Sequence, residues 1–247
     1  MALPVVHTAK YDLQIEELGK KIKYRPFFVK EHKTLLQAIE TQDENLLVNA
    51  IVEIVRSCTF DKLSIEKLPV HLVDYIFLHL YIKSIGARSP AVFTCRAPVE
   101  KEGVTRSCDT TTNVMLPLDK AKIVYPEGYK EKQNVEVTEG VGIRLRVPSF
   151  EDFRSIKLDK SFIDITDQFI FACVESVYSK DKVQVPGTDF SADEMVTWID
   201  GMDGSVMEKM AQFFNELPYL GLTVPVTCHA CGKKEELQLQ GLEDFFV

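Results

Sequence analysis

Val224-Pro225-Val226-Thr227-Cys228-His229-Ala230-Cys231-Gly232-Lys233-Lys234-Glu235-Glu236-Leu237-Gln238-Leu239 reads as two β-strands joined by a tight turn that carries two cysteines. Two thiolates at Cys-x-x-Cys spacing converge on a single ion, and the glycine after the second cysteine permits the turn that frees backbone amides toward sulfur. The redox reading of the same motif needs a helix N-terminus, where the dipole stabilises a thiolate. Strands flank it here. Cys228 and Cys231 therefore read as one zinc-ribbon knuckle, which is half of a four-ligand site.

Four cysteines remain from which the other half can come. Cys58 follows Ile54-Val55-Arg56-Ser57 and Cys173 follows Ile170-Phe171-Ala172. In such apolar helical settings a free cysteine behaves as a small hydrophobe, so both belong to the core. Cys95 and Cys108 sit at strand ends instead: Ala91 to Thr94 runs into Cys95, and Cys108 opens onto Asn113-Val114-Met115-Leu116. Twelve residues lie between them, a weak signal on its own.

Their place in an internal repeat gives the pair weight. The pattern predicts an α+β fold, an internally duplicated β-hairpin–helices–cysteine-hairpin unit with zinc-ribbon-like hairpins, over residues 1–122 and 123–247. Tyr11 to Val29 alternates about a turn at Gly19, and Val135 to Val147 about a turn at Gly140. Leu13-Gln14-Ile15 matches Val135-Glu136-Val137, and Pro26 matches Pro148, each proline having a phenylalanine two residues on, Phe28 and Phe150. Helical spacing follows in the first half over Lys30 to Glu40, Asp43 to Cys58 with Asp43 as cap, and Pro69 to Ile85 before Gly86. In the second half it follows from Ser149, over Asp164 to Ser176, from the Ser191–Glu194 capping box through Trp198, and over Ser205 to Leu217.

At the far ends Phe93-Thr94-Cys95 matches Val226-Thr227-Cys228, and Cys108-Asp109 matches Cys231-Gly232. The competing explanation is coincidence between common strand and helix patterns. Related halves are expected to pack as one compact unit, with Cys95, Cys108, Cys228 and Cys231 forming one tetrahedral zinc site. Such a closed site holds structure and activates no water. Two alternatives stay open: the first pair has decayed and binds no metal, or His229 substitutes for a sulfur.

Charge and composition narrow the function. With 37 acidic against 29 basic residues the net charge is −8, which argues against a phosphate-backbone partner. Lys20-Lys21-Ile22-Lys23-Tyr24-Arg25 alternates as the solvated face of a strand. Met1 to His7 lacks the basic and apolar regions of a signal peptide. Val70 to Ile85 is interrupted by His71, Asp74, His79 and Lys83, so no membrane span is expected. No phosphate loop, nucleophile elbow or paired-histidine motif is present, and no catalytic residue or small-molecule substrate is assigned. The C-terminal Gly241-Leu242-Glu243-Asp244-Phe245-Phe246-Val247 either docks on the chain's own core or offers Leu242, Phe245 and Phe246 to a partner groove.

Lys20 to Glu31, Leu35-Leu36, Ala38-Ile39-Glu40, Leu68-Pro69, Asp74 to Leu78, Lys83 to Gly86, and Cys228-x-x-Cys231-Gly232 with Gly241 to Phe246 together resemble baseplate hub subunits of T-even-type contractile-tailed bacteriophages. The likeness spans nearly the whole chain. It implies a non-enzymatic protein of baseplate hub or wedge assembly that acts in the host cytoplasm, either as a lasting subunit of the virion tail baseplate or as an assembly factor that leaves. Its partners would be other baseplate and tail proteins, with no nucleic acid and no membrane. A zinc-ribbon adaptor in nucleic-acid transactions and a disulfide-exchange enzyme are the alternative readings.

Overall fold

Alternation sets the first element. Leu13, Ile15, Ile22 and Tyr24 are buried while Lys20, Lys21 and Lys23 face solvent, so Tyr11–Ile15 (β1) and Lys20–Tyr24 (β2) form a one-sided antiparallel hairpin. The lysine run is a solvated strand face. The molecule is known as a computed structural model that describes residues 8–41, 43–101, 103–156 and 162–246. Helices α1 (Val29–Thr41), α2 (Glu44–Cys58) and α3 (Val70–Ser84) follow the hairpin. Asp43 caps α2, accepting hydrogen bonds from the amides of Asn45 and Leu46. Helix α3 is apolar almost all round and buries Leu72, Val73, Ile76, Phe77, Leu78 and Leu80, as a central helix must.

Strand β3 (Arg88–Thr94) pairs with β6 (Thr111–Pro117) in one unbroken antiparallel register. Between them β4 (Pro98–Lys101) and β5 (Val104–Ser107) make a separate two-stranded ribbon that the sequence reading did not include. A 3₁₀ turn over Leu118–Lys120 leads into β7 (Lys122–Val124).

The next segment forms a four-stranded sheet of order β11-β10-β9-β8, from β8 (Lys132–Thr138), β9 (Val141–Arg146), β10 (Val174–Tyr178) and β11 (Val183–Gln184). Its helices are α4 (Phe150–Ser155), α5 (Phe162–Cys173), α6 (Ala192–Asp200) and α7 (Gly204–Asn215). The helix expected to continue to Ser176 stops at Cys173. Val174, Val177 and Tyr178, β-branched and aromatic, join the sheet instead. Ile143, Leu145, Cys173, Met195, Met210 and Phe213 are among its buried core residues. Last come β12 (Tyr219–Thr227) and β13 (Lys234–Gln240), which form a sheet with β7 in the order β13-β12-β7.

The architecture is α+β. The chain divides into two compact units. One comprises the chain up to Leu63 with His71–Val124 and Tyr219 onward; the other comprises Ser64–Val70 and Tyr125–Pro218. Strands β12 and β13 fall in the same unit as β3, β6 and β7. In the second unit Ser64–Val70 covers the start of α4: the Phe150 amide donates to the Leu68 carbonyl at 2.7 Å, and Pro69 bridges Ser149.

Candidate metal centre

Two strand pairs present the four strand-end cysteines. In the second, the Cys228 amide donates to the Lys233 carbonyl and the Gly232 amide to the Cys228 carbonyl, both at 2.9 Å, with Gly232 at φ +72°. In the first, the Cys95 amide donates to the Thr110 carbonyl at 3.0 Å and the Asp109 amide to the Cys95 carbonyl at 2.9 Å, with Asp109 at φ +50°. The same two bonds and the same left-handed residue thus occur in both, with Asp109 where the other knuckle has glycine. Aspartate is among the few non-glycine residues that tolerate this region. Residues 98–107 lie between Ala97 and Cys108, and the Cys108 amide donates to the Ala97 carbonyl at 2.8 Å, closing the gap. The first hairpin is therefore a Cys-x-x-Cys knuckle with a β-ribbon inserted in its turn. Sequence spacing concealed this because the insertion separates two residues that the fold makes neighbours.

The four sulfurs converge, all lying within 4.8 Å of one another. Cys95 Sγ is 3.7 Å from Cys231 Sγ, and Cys108 Sγ is 3.8 Å from Cys228 Sγ. A tetrahedron with metal–sulfur bonds of ~2.3 Å has edges of ~3.8 Å, so these separations suit a tetrahedral thiolate site. No disulfide joins them. Cys95 and Cys228 are buried against Phe93 and Ala97, while Cys108 and Cys231 are partly exposed. Two of the four thiols are biased toward thiolate. The amides of Cys231 and then Ala230 hold the Cys228 thiol down at about 6, and the Thr110 hydroxyl and amide lower that of Cys108. At Cys95 the Ala97 amide favours the thiolate, but burial and the three neighbouring sulfurs outweigh it and push the thiol up to about 11. A central cation relieves that mutual repulsion. His229 lies outside the sulfur cluster, with Nδ1 3.2 Å from Thr112 Oγ1.

The tail residues lie on the chain itself. Leu242 and Phe245 are buried, and Ser89 Oγ donates to the Phe245 carbonyl at 3.0 Å. The Phe246 ring centroid is 4.5 Å from that of Tyr81 and 6.2 Å from that of Phe77, both on α3. Cys58 and Cys173 are fully buried, as expected, and burial pushes each thiol up to about 12.

A second recurring arrangement escaped the sequence reading. Arg25 makes a two-point ion pair with Glu31 at 2.7 and 3.1 Å, and its guanidinium also reaches Ser57 Oγ, Cys58 Sγ and the Pro26 carbonyl. Arg146 makes a two-point pair with Asp152 at 2.7 and 3.1 Å and reaches the Val147 carbonyl. In each case the arginine closes a hairpin, the acid stands six residues on in the next helix, and that acid accepts the amide three residues before it, from Phe28 and Ser149 respectively. Burial raises the Glu31 carboxyl, but Arg25, the Phe28 amide and Ser57 overcome it and hold it at about 2. The sequence signal was an arginine at the end of each hairpin, obscured because each matching proline stands at a different distance from it.

A family model described as T4 bacteriophage base plate protein matches residues 8–247. No curated protein matches the chain, and no solved structure does.

Proposed function

We propose, for a chain that belongs to the T4 bacteriophage base plate protein family, a non-enzymatic role in assembling the baseplate hub, in which it binds and organises other baseplate proteins. The observation that carries this reading is the closed sulfur shell. Cys95, Cys108, Cys228 and Cys231 supply four ligands at tetrahedral separations, which leaves no coordination position for substrate or water. Zinc is the ion that such a set suits, and its part would be to tie the β3–β6 pair to the β12–β13 pair. The repeated Arg25–Glu31 and Arg146–Asp152 clamps and the two matching knuckles support an origin of the chain by duplication. On this reading the protein works in the host cytoplasm during assembly and then in the tail baseplate. Phe246, half-buried beside Tyr81, is the tail aromatic that a partner reaches first.

The test is metal analysis coupled to complementation. Protein purified without chelator should carry about one zinc per chain, and Cys228→Ser should lose both the metal and the ability to restore baseplates to phage lacking this gene. Protein free of zinc, or a metal-free variant that assembles baseplates normally, overturns the clamp. Failure of the wild-type gene to affect baseplate yield at all overturns the assembly role.

A further inference from the structure

The ribbon inserted in the first knuckle has no part in holding the sulfurs. The second knuckle makes the same backbone bonds with two residues between its cysteines, and Cys95-Arg96-Ala97 followed directly by Cys108 would be such a knuckle. Residues 98–107 therefore serve something other than the metal site. All four residues of β5 are exposed, and an isolated two-stranded hairpin is at best marginally stable in water.

Its hydrogen-bond phase can be read from its base. In an antiparallel pair, hydrogen-bonded and non-hydrogen-bonded residue pairs alternate. Ala97 and Cys108 form a hydrogen-bonded pair, so Val99↔Arg106 is the next, and Pro98↔Ser107 and Glu100↔Thr105 are the non-bonded pairs. Thr105 and Ser107 consequently turn their amides and carbonyls outward along the free edge of β5. On the other edge Pro98 stands at an outward position and offers no amide, which is the usual way of blunting a strand. The β4 edge is interrupted at Pro98, whereas β5 carries no proline and keeps both of its outward positions. Arg106 is the sole charged residue on β5, stands opposite Val99, and makes no ion pair among the described residues of a chain of net charge −8.

We propose that the open edge of β5 takes up an extended segment of another baseplate protein by strand addition, with an acidic residue of that segment set against Arg106. Backbone pairing to Thr105 and Ser107 supplies the register and Arg106 the charge preference. The Cys108-to-Ala97 bond at the ribbon's base joins it to the knuckle below. A second copy of this chain is the poorer occupant, since self-pairing of β5 in the register that bonds Thr105 to Ser107 sets one Arg106 beside another.

This inference rests on the assembly reading, and the test separates the two. Phage lacking the gene is complemented with full-length chains carrying Thr105→Pro, Thr105→Val, Arg106→Glu or a deletion of residues 98–107. Infectious yield is counted, and each purified variant is assayed for zinc and circular dichroism. Thr105→Pro removes an outward amide while sparing the bonds to β4, and should lower yield at least tenfold with zinc and fold unchanged. Thr105→Val should match wild type, and Arg106→Glu should fall with Thr105→Pro. A photo-crosslinker at Thr105 should trap one other baseplate protein. Normal yield from the deletion or from Thr105→Pro overturns the proposal, as does crosslinking to a second copy. If the null phage itself gives wild-type yield, it is the assembly reading that fails.

Discussion

Ala97 and Cys108 face each other across a hydrogen-bonded ladder position, the Cys108 amide 2.8 Å from the Ala97 carbonyl, although ten residues separate them along the chain. That single bond restores a knuckle geometry that the sequence had hidden. It makes the first cysteine pair as well formed as the second.

Removing the metal should loosen the β3–β6 and β12–β13 pairs together. Binding free energies of structural zinc in small domains are on the order of 10 kcal/mol. Excess chelator should therefore lower the melting temperature by about 10 °C or more, and stoichiometric zinc should restore it. Cys95→Ser and Cys228→Ser should be equally damaging, because they occupy matching places in the two knuckles. An unchanged melting curve in chelator would show that the sulfurs hold no ion.

Glu31 sets an acid limit on stability. Its carboxyl lies at about 2 in the folded chain against an ordinary value of 4.5. A depressed acid contributes fully above its unfolded value and loses that contribution as pH falls from about 4.5 to about 2. Glu31→Gln should cost about 3 kcal/mol at pH 7, since it leaves Arg25 buried with one partner fewer. The difference from wild type should shrink toward pH 2, measured by urea melts across that range.

Asp74 acts in the opposite direction. Burial, and then the nearby charge of Glu243, push its carboxyl up to about 7. A raised acid stabilises most below its unfolded value near 3.8, and that contribution disappears as pH rises through 7. Asp74→Asn should therefore gain about 1–2 kcal/mol over wild type at pH 8, allowing for partial exposure, and little at pH 4. Equal effects at both pH values would refute the assignment.

Phe245 is 1 % exposed, so its removal is a core substitution. Phe245→Ala should cost about 3–5 kcal/mol. Truncation before Leu242 should destabilise the unit that contains α3 rather than merely trim a free tail. Phe246→Ala should be milder, since that ring is only partly covered. Proteolysis rates of the three proteins give the order.

The elements with strong local signals were legible: both hairpins, the Asp43, Ser149 and Ser191 caps, α3, and the four metal-type cysteines. Asp109 was harder, because its left-handed backbone serves where glycine would be the obvious residue. The ribbon of β4 and β5 was missed since its strands are only four residues long and β5 is exposed along its whole length. Strand β10 was missed because apolar residues run without a break from α5 across Cys173. The Arg25 and Arg146 clamps depend on side chains meeting across turns, which neither period nor spacing encodes. Whether the tail faced inward or outward was a matter of packing against Phe77 and Tyr81, and composition alone supports both.

The sulfur shell also has a bearing on how the chain is made. Cys95 and Cys108 leave the ribosome about 120 residues before Cys228, which at ~5–20 residues per second is an interval on the order of ten seconds. Through that interval the nascent protein holds two ligands and cannot complete a four-thiolate site. Closure waits for Cys231, so only a translation product that has passed that residue can lock its two strand pairs together. A fragment released before Cys228 lacks half of the four sulfurs and stays unlocked.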